Sequence, residues 1–130
     1  MKILLGYDGS NQAKEALEVA KKHALAFKAK LYVVTSLFGE NQTVPQEIEE
    51  SEEGLDFARK TLAASGIPVE THLLVRGLSP GEDLVKFAKE NEIDQIVVGV
   101  KKVSPVGKLI FGSNARYVIL NAPCPVLAVR

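Results

Sequence analysis

Three short runs in this 130-residue chain, Ile3-Leu4-Leu5, Val33-Val34 and Ile96-Val97-Val98, are apolar on consecutive residues. A strand with one wet face alternates apolar and polar residues. A strand apolar throughout has to bury both faces, as the strands of a parallel sheet do. Five stretches read as strands: Lys2–Tyr7, Lys30–Thr35, Val69–Val75, Ile93–Val98 and Pro125–Val129.

Helical patterns fill the gaps between them. The first runs from about Ser10 to Lys28, with Ala13, Ala16, Leu17, Ala20, Ala24 and Phe27 on one stripe and Ser10 as its N-cap. So many alanines predict a helix lying close to the sheet. The second runs from about Pro45 to Ser65, where Pro45 suits a first turn and Gly66 a stop. Its acidic run, Glu47, Glu49, Glu50, Glu52 and Glu53, reads as a solvated face. The third begins at Ser79-Pro80-Gly81-Glu82, a capping-box pattern, and ends near Asn91. The fourth spans about Ser113 to Asn121.

Strands alternating with helices predict an α/β fold, a single open five-stranded parallel sheet with helices on both faces. Right-handed crossovers place helices on both faces only where the winding reverses, and ligands bind at that reversal, beyond the carboxyl ends of the strands. Two strand ends carry suitable residues: Tyr7-Asp8-Gly9-Ser10 after the first and Gly99 onward after the fourth. These two strands are therefore expected to be neighbours. The stretch Ser36–Val44 is expected to form a loop on the same rim.

Charge and cysteine usage narrow the function classes. Sixteen acids balance sixteen bases, so no bulk field favours nucleic acid or a membrane surface. Cys124 is the only cysteine, which fits a cytoplasmic protein. The apolar run of MKILLGYDGS is too short for a signal peptide or a membrane span. The expected organisation is one domain over residues 1–130.

The segment from Gly99 to Ser113 offers what an anion needs. Gly99, Gly107 and Gly112 permit close backbone approach, Lys101, Lys102 and Lys108 bring charge, and Gly112-Ser113 opens a helix. A solvated basic loop ending in an ordinary N-cap fits the composition equally well. The segment is no Walker A loop, because Leu109 follows Gly107-Lys108 and no glycine lies five residues before Gly107. Asp8 suits a ribose, a base or a metal, and equally the cap of an Asp-Gly-Ser turn. His23, His72 and Cys124 have no sequence neighbours that would make them ligands or catalytic groups, so all three read as structural.

Both ends of the chain resemble one family. "KILLGYDGSNQAKEAL" is similar to the opening strand, Asp-Gly-Ser turn and alanine-rich helix of the universal stress proteins, "EIDQIVVGV" to their fourth strand, and "GSNARYVILNAPCPVLAVR" to their closing signature. The resemblance covers essentially the whole chain. It implies a five-stranded parallel α/β fold and a homodimer formed through the last strand, here Pro125 to Arg130. Many members bind ATP or AMP, with Mg2+ accompanying ATP, through Gly-x-x-Gly, nine further residues, then Gly-Ser or Gly-Thr. In this chain Gly99 matches the first glycine, and nine residues, Val103 to Phe111, precede Gly112-Ser113. The second glycine is replaced by Lys102, which adds bulk and a cation, with Gly107 as an alternative point of close approach.

The resemblance further implies that Asp8 contacts the adenosine and that backbone near Ser36 meets the adenine. Gly99, Gly112 and Ser113 would wrap the ribose and phosphates, and Lys101 falls where members place a basic residue. Asn114 and Ala115 take the next helix positions, where Ala115 supplies no hydroxyl. The implied function is a dimeric adenine-nucleotide-binding regulator of the stress response, not an enzyme. The alternatives are a dimeric module that acts through protein partners without nucleotide, and an ATPase or adenylating relative.

Overall fold

The computed structural model describes residues 1–38, 44–100 and 111–130. Its elements follow the order β1 (Lys2–Gly6), α1 (Asn11–Phe27), β2 (Lys30–Ser36), α2 (Pro45–Ala63), β3 (Val69–Leu74), α3 (Pro80–Glu90), β4 (Gln95–Gly99), α4 (Ser113–Asn121) and β5 (Val126–Val129). The five strands form one sheet in the order β3-β2-β1-β4-β5, and every pairing is parallel. The expected neighbours β1 and β4 pair directly, with Leu4 opposite Ile96. The winding reverses between them.

The consecutive apolar runs serve two cores. Ile3, Leu5, Leu31, Val33 and Val97 pack with α1 and α2, while Leu4, Tyr32, Val34, Ile96 and Val98 pack with α3 and α4. Burying one such Leu, Ile or Val contributes about 1.5–3 kcal/mol, so the central strands hold both layers together. Ala13, Ala16, Ala20 and Ala24 are all buried, and α1 lies close to the sheet as its composition predicts.

Several local expectations change in detail. Phe27 does not join the buried stripe of α1; it is 55% exposed, because the helix ends there on the left-handed residue Lys28. Ile93 and Asp94 precede β4 rather than belong to it. Ile93 is nonetheless buried against the α3 side, and Asp94 accepts a bond from the Lys2 N–H at 2.7 Å. Ser79 is the N-cap of α3, but its hydroxyl bonds the Glu82 carboxylate at 2.7 Å and caps no backbone N–H, so the capping box is incomplete. The acidic residues Glu47, Glu49, Glu50, Glu52 and Glu53 of α2 are exposed.

Candidate functional site

Where the winding reverses, a cleft of about 170 Å³ opens at the carboxyl ends of the strands. Asp8 and Ser10 enter it after β1, Thr35 and Ser36 at the end of β2, and Gly99 at the end of β4. Asn114 and Ala115 come from the first turn of α4, and Pro80 from the start of α3. Three helices, α1, α3 and α4, thus bring their N-terminal turns to one opening. The N-terminal dipoles of these helices favour an anion there, beside the carboxylate of Asp8. Val34, Leu84, Val98 and Val118 form its apolar wall.

The turn after β1 answers the question that its sequence left open. Asp8 Oδ1 accepts the Ser10 N–H at 2.9 Å, and Gly9 takes φ +78°, a conformation that favours glycine. Ser10 then caps α1 by accepting the Ala13 N–H at 3.1 Å. Asp8 therefore shapes the turn, and the same geometry presents it, exposed, on the cleft. A second cavity of about 250 Å³ adjoins the first and shares Tyr7, Asp8 and Thr35 with it; Glu47 and Glu50 of α2 line its far side. Burial, followed by the negative charge of Asp8, raises the Tyr7 phenol above its ordinary value, so it stays protonated as a donor.

Glycine at position 99 has a packing reason. A Cβ there would lie 2.7 Å from the backbone of Gln12 in the first turn of α1. The expected close approach is therefore made by the protein's own helix. Gly112 is the N-cap of α4 with φ −64° and ψ 157°, which any residue adopts; it leaves the helix start without a side-chain cap. Asn114 also has a structural task. Its Oδ1 accepts the Gly81 N–H at 2.9 Å, tying the first turn of α4 to that of α3.

Of the residues singled out from the sequence, Asp8, Ser36, Gly99 and Asn114 line the one cleft. Gly112 and Ser113 sit at the start of the helix that brings Asn114 there. Lys101, Lys102 and Gly107 lie outside the described residues.

One group behind the cleft has no precursor in the sequence reading. Asp83, in the first turn of α3, is fully buried. Its carboxylate accepts the Ser36 hydroxyl at 2.8 Å and the Arg76 Nε–H at 2.6 Å, and Arg76 also bonds Glu90 at 2.8 Å. Burial alone would lower Arg76, but the bonds to Glu90 and Asp83 outweigh it and hold the guanidinium above its ordinary value. The bond from Arg76 holds Glu90 below its own. A periodicity check would have found Asp83, since it lies four residues before the buried Phe87 on the same helical stripe. Among the described residues, no group of three or more His, Cys, Asp or Glu is placed to hold a metal ion.

Comparison with known proteins places this architecture. The family profile described as the universal stress protein family matches residues 1–130. A universal stress protein of Thermus aquaticus is 37% identical over 137 residues, covering 98% of this chain and 97% of the relative. The solved structure of a universal stress protein from Archaeoglobus fulgidus is 42% identical with a TM-score of 0.91, covering 100% of this chain and 98% of the other. A second from the same organism, in complex with dAMP, is 37% identical with a TM-score of 0.86 over the same shares.

Proposed function

This chain belongs to the universal stress protein family, and from that premise we propose that it binds an adenine nucleotide in the cleft between β1 and β4. The observation that carries the reading is the convergence of Asp8, Ser36, Gly99 and Asn114, drawn from four separate segments, on one opening. The dAMP complex of a 37% identical relative supports the same ligand class.

Apolar walls suit a base, the Asp8 carboxylate suits ribose hydroxyls, and the helix N-termini suit phosphate. At about 170 Å³ the cleft is smaller than the roughly 300–1,000 Å³ of a full small-molecule site. It takes the base and part of the sugar. The phosphates then extend toward Gly112 and Ser113, with Lys101, Lys102 and Gly107 as the further contacts that we propose. AMP needs fewer of these than ATP. With ATP, Mg2+ would arrive on the phosphate oxygens.

The role that follows is a binding one, in which occupancy alters what the protein contacts. We further propose a homodimer through Pro125–Arg130 and a cytoplasmic location. The edge position of β5 and its exposed Ala128 support the first. No helix among the described residues is long and apolar enough to cross a membrane.

Titration calorimetry with AMP and ATP tests the nucleotide reading. Saturable heat in the wild type, weakened by Gly112→Val in a folded protein, is expected. Silence at millimolar ligand would favour a module that works through protein partners alone.

A further inference from the structure

We infer that the cavity beneath α2 is a second binding site, for a small aliphatic diamine in its doubly protonated form. The inference does not depend on the nucleotide reading of the neighbouring cleft.

The acidic run of α2 divides between two faces. Glu47, Glu50, Ser51 and Gly54 follow the spacing i, i+3, i+4, i+7 of one helical face, and all four line the cavity of about 250 Å³. Glu49, Glu52 and Glu53 do not line it. Asp8, from the turn after β1, stands on the wall opposite α2. Carboxylates thus face the cavity from two sides, and among the described residues no basic side chain lines it. The dipole at the start of α2 supplies about half a positive charge, too little to offset three carboxylates. The field inside favours a cation.

Two features point to a ligand. The first is Tyr7, which is 4% exposed and packs in the core with α1 and α2, yet also lines the cavity. Among the described residues its hydroxyl has no hydrogen-bond partner; burial and the charge of Asp8 alone act on it. A buried phenol usually finds a partner. This one can accept a bond from an ammonium and donate its own proton to a carboxylate.

The second is Gly54. It lies in the interior of α2, where glycine is unfavourable relative to alanine. Packing does not demand it. An added Cβ would meet only Cε2 of Tyr7, at 3.6 Å, an ordinary contact. What a methyl group would take is the room beside the Tyr7 ring, inside the cavity.

The ligand class follows from the walls. An ammonium group has three donors and no acceptor, which suits a lining rich in acceptors. A diamine sets one charge by Glu47 and Glu50 and the other by Asp8, with its chain against Leu37 and the Tyr7 ring. Glu50 keeps one oxygen for it, since only Oε1 accepts the Gln46 side-chain amide, at 3.0 Å. A bare metal ion fits less well, because among the described residues no three acids, His or Cys are placed to hold one.

The test follows the backbone amides of the intact protein by NMR at low ionic strength. The probes are 1,4-diaminobutane, 1-aminobutane and 1,4-butanediol. The diamine is expected to give saturable shifts at Gly9, Leu37, Ser51 and Gly54, with the diol giving none. The diamine should bind about tenfold more tightly than the monoamine. Gly54→Ala should raise the urea midpoint yet weaken the diamine by about tenfold or more. Tyr7→Phe should weaken it severalfold, and Glu53→Gln should leave it unchanged. Should Tyr7→Phe fail to fold, Gly54→Ala still decides. Equal weakening by Glu53→Gln and Glu50→Gln, with wild-type affinity in Gly54→Ala, would mean a diffuse acidic surface and overturn the inference. Absence of saturable shifts at millimolar diamine would overturn it too. Neither result touches the nucleotide reading, which the AMP titration tests separately.

Discussion

Gly99 and Gln12 meet so closely that a single added methyl at position 99 would lie 2.7 Å from the carbonyl carbon and oxygen of Gln12. The end of β4 and the first turn of α1 are thereby locked together at the mouth of the cleft. The obstacle is backbone, which cannot swing aside. Gly99→Ala should therefore destabilise the fold by about 1–3 kcal/mol through overpacking. At Gly6, also on the cleft, the added methyl would meet the end of the Leu84 side chain at 2.9 Å, which can move. Urea denaturation without ligand should rank Gly99→Ala well below Gly6→Ala. Equal stabilities would remove the packing explanation for Gly99.

The bond from the Gly81 N–H to Asn114 Oδ1 joins two helix starts across the cleft. Asn114→Ala leaves that part-buried donor without its partner, at a cost of about 1–3 kcal/mol. The urea midpoint should fall accordingly, with the slope of the transition unchanged. Wild-type stability in this variant would mean that water replaces the bond at no loss.

The outer edge of β5 offers a test of the dimer. Ile96 N–H bonds the Pro125 carbonyl and Val100 N–H bonds the Val129 carbonyl. Alternate residues of a strand direct their backbone groups to opposite sides, so Ala128 directs its N–H away from β4. Proline is tolerated on an edge strand where the N–H it lacks faces outward. Ala128→Pro should spare the sheet and break the dimer. Sedimentation should give twice the 14.1 kDa chain mass for the wild type and the chain mass for the variant. A variant that remains a dimer would place the interface elsewhere.

Acidification should release the outer end of the sheet first. Bonds from Lys30 and then His72 hold the Glu70 carboxylate below its ordinary value of 4.5. A depressed carboxylate contributes stability above its unfolded value and loses it as pH falls through the folded one. The urea midpoint should thus be steady above about pH 4.5 and decline below it. Glu70→Gln should flatten part of that decline. Both partners are well exposed, so the effect is small. An identical acid limb in wild type and variant would assign the decline to other carboxylates.

The strands were legible because burial on both faces leaves a local mark: consecutive apolar residues such as Ile3-Leu4-Leu5 and Ile96-Val97-Val98. The β1–β4 pairing followed from the residues at the two strand ends, Asp8-Gly9-Ser10 and Gly99 onward, together with the single reversal that a doubly wound sheet requires. Phe27 shows where periodicity overreaches, since the stripe was extended to the last residue of the helix, where the chain turns off at the left-handed Lys28. The Asp83 cluster was hidden for a different reason. Acidic residues early in a helix satisfy the dipole, and Glu82-Asp83 reads that way until tertiary packing turns one of the two inward. Arg76 and Ser36, seven and forty-seven residues from Asp83, carry no local sign of that pairing.

The central claim, that an adenine nucleotide occupies the cleft between β1 and β4, is tested most directly by following the backbone amides of the wild-type protein by NMR during a titration with AMP. The expected result is saturable shifts concentrated at Gly9, Ser10, Ser36, Gly99, Asn114 and Ala115. No shifts at millimolar AMP, or saturable shifts confined to residues remote from that cleft, would contradict it.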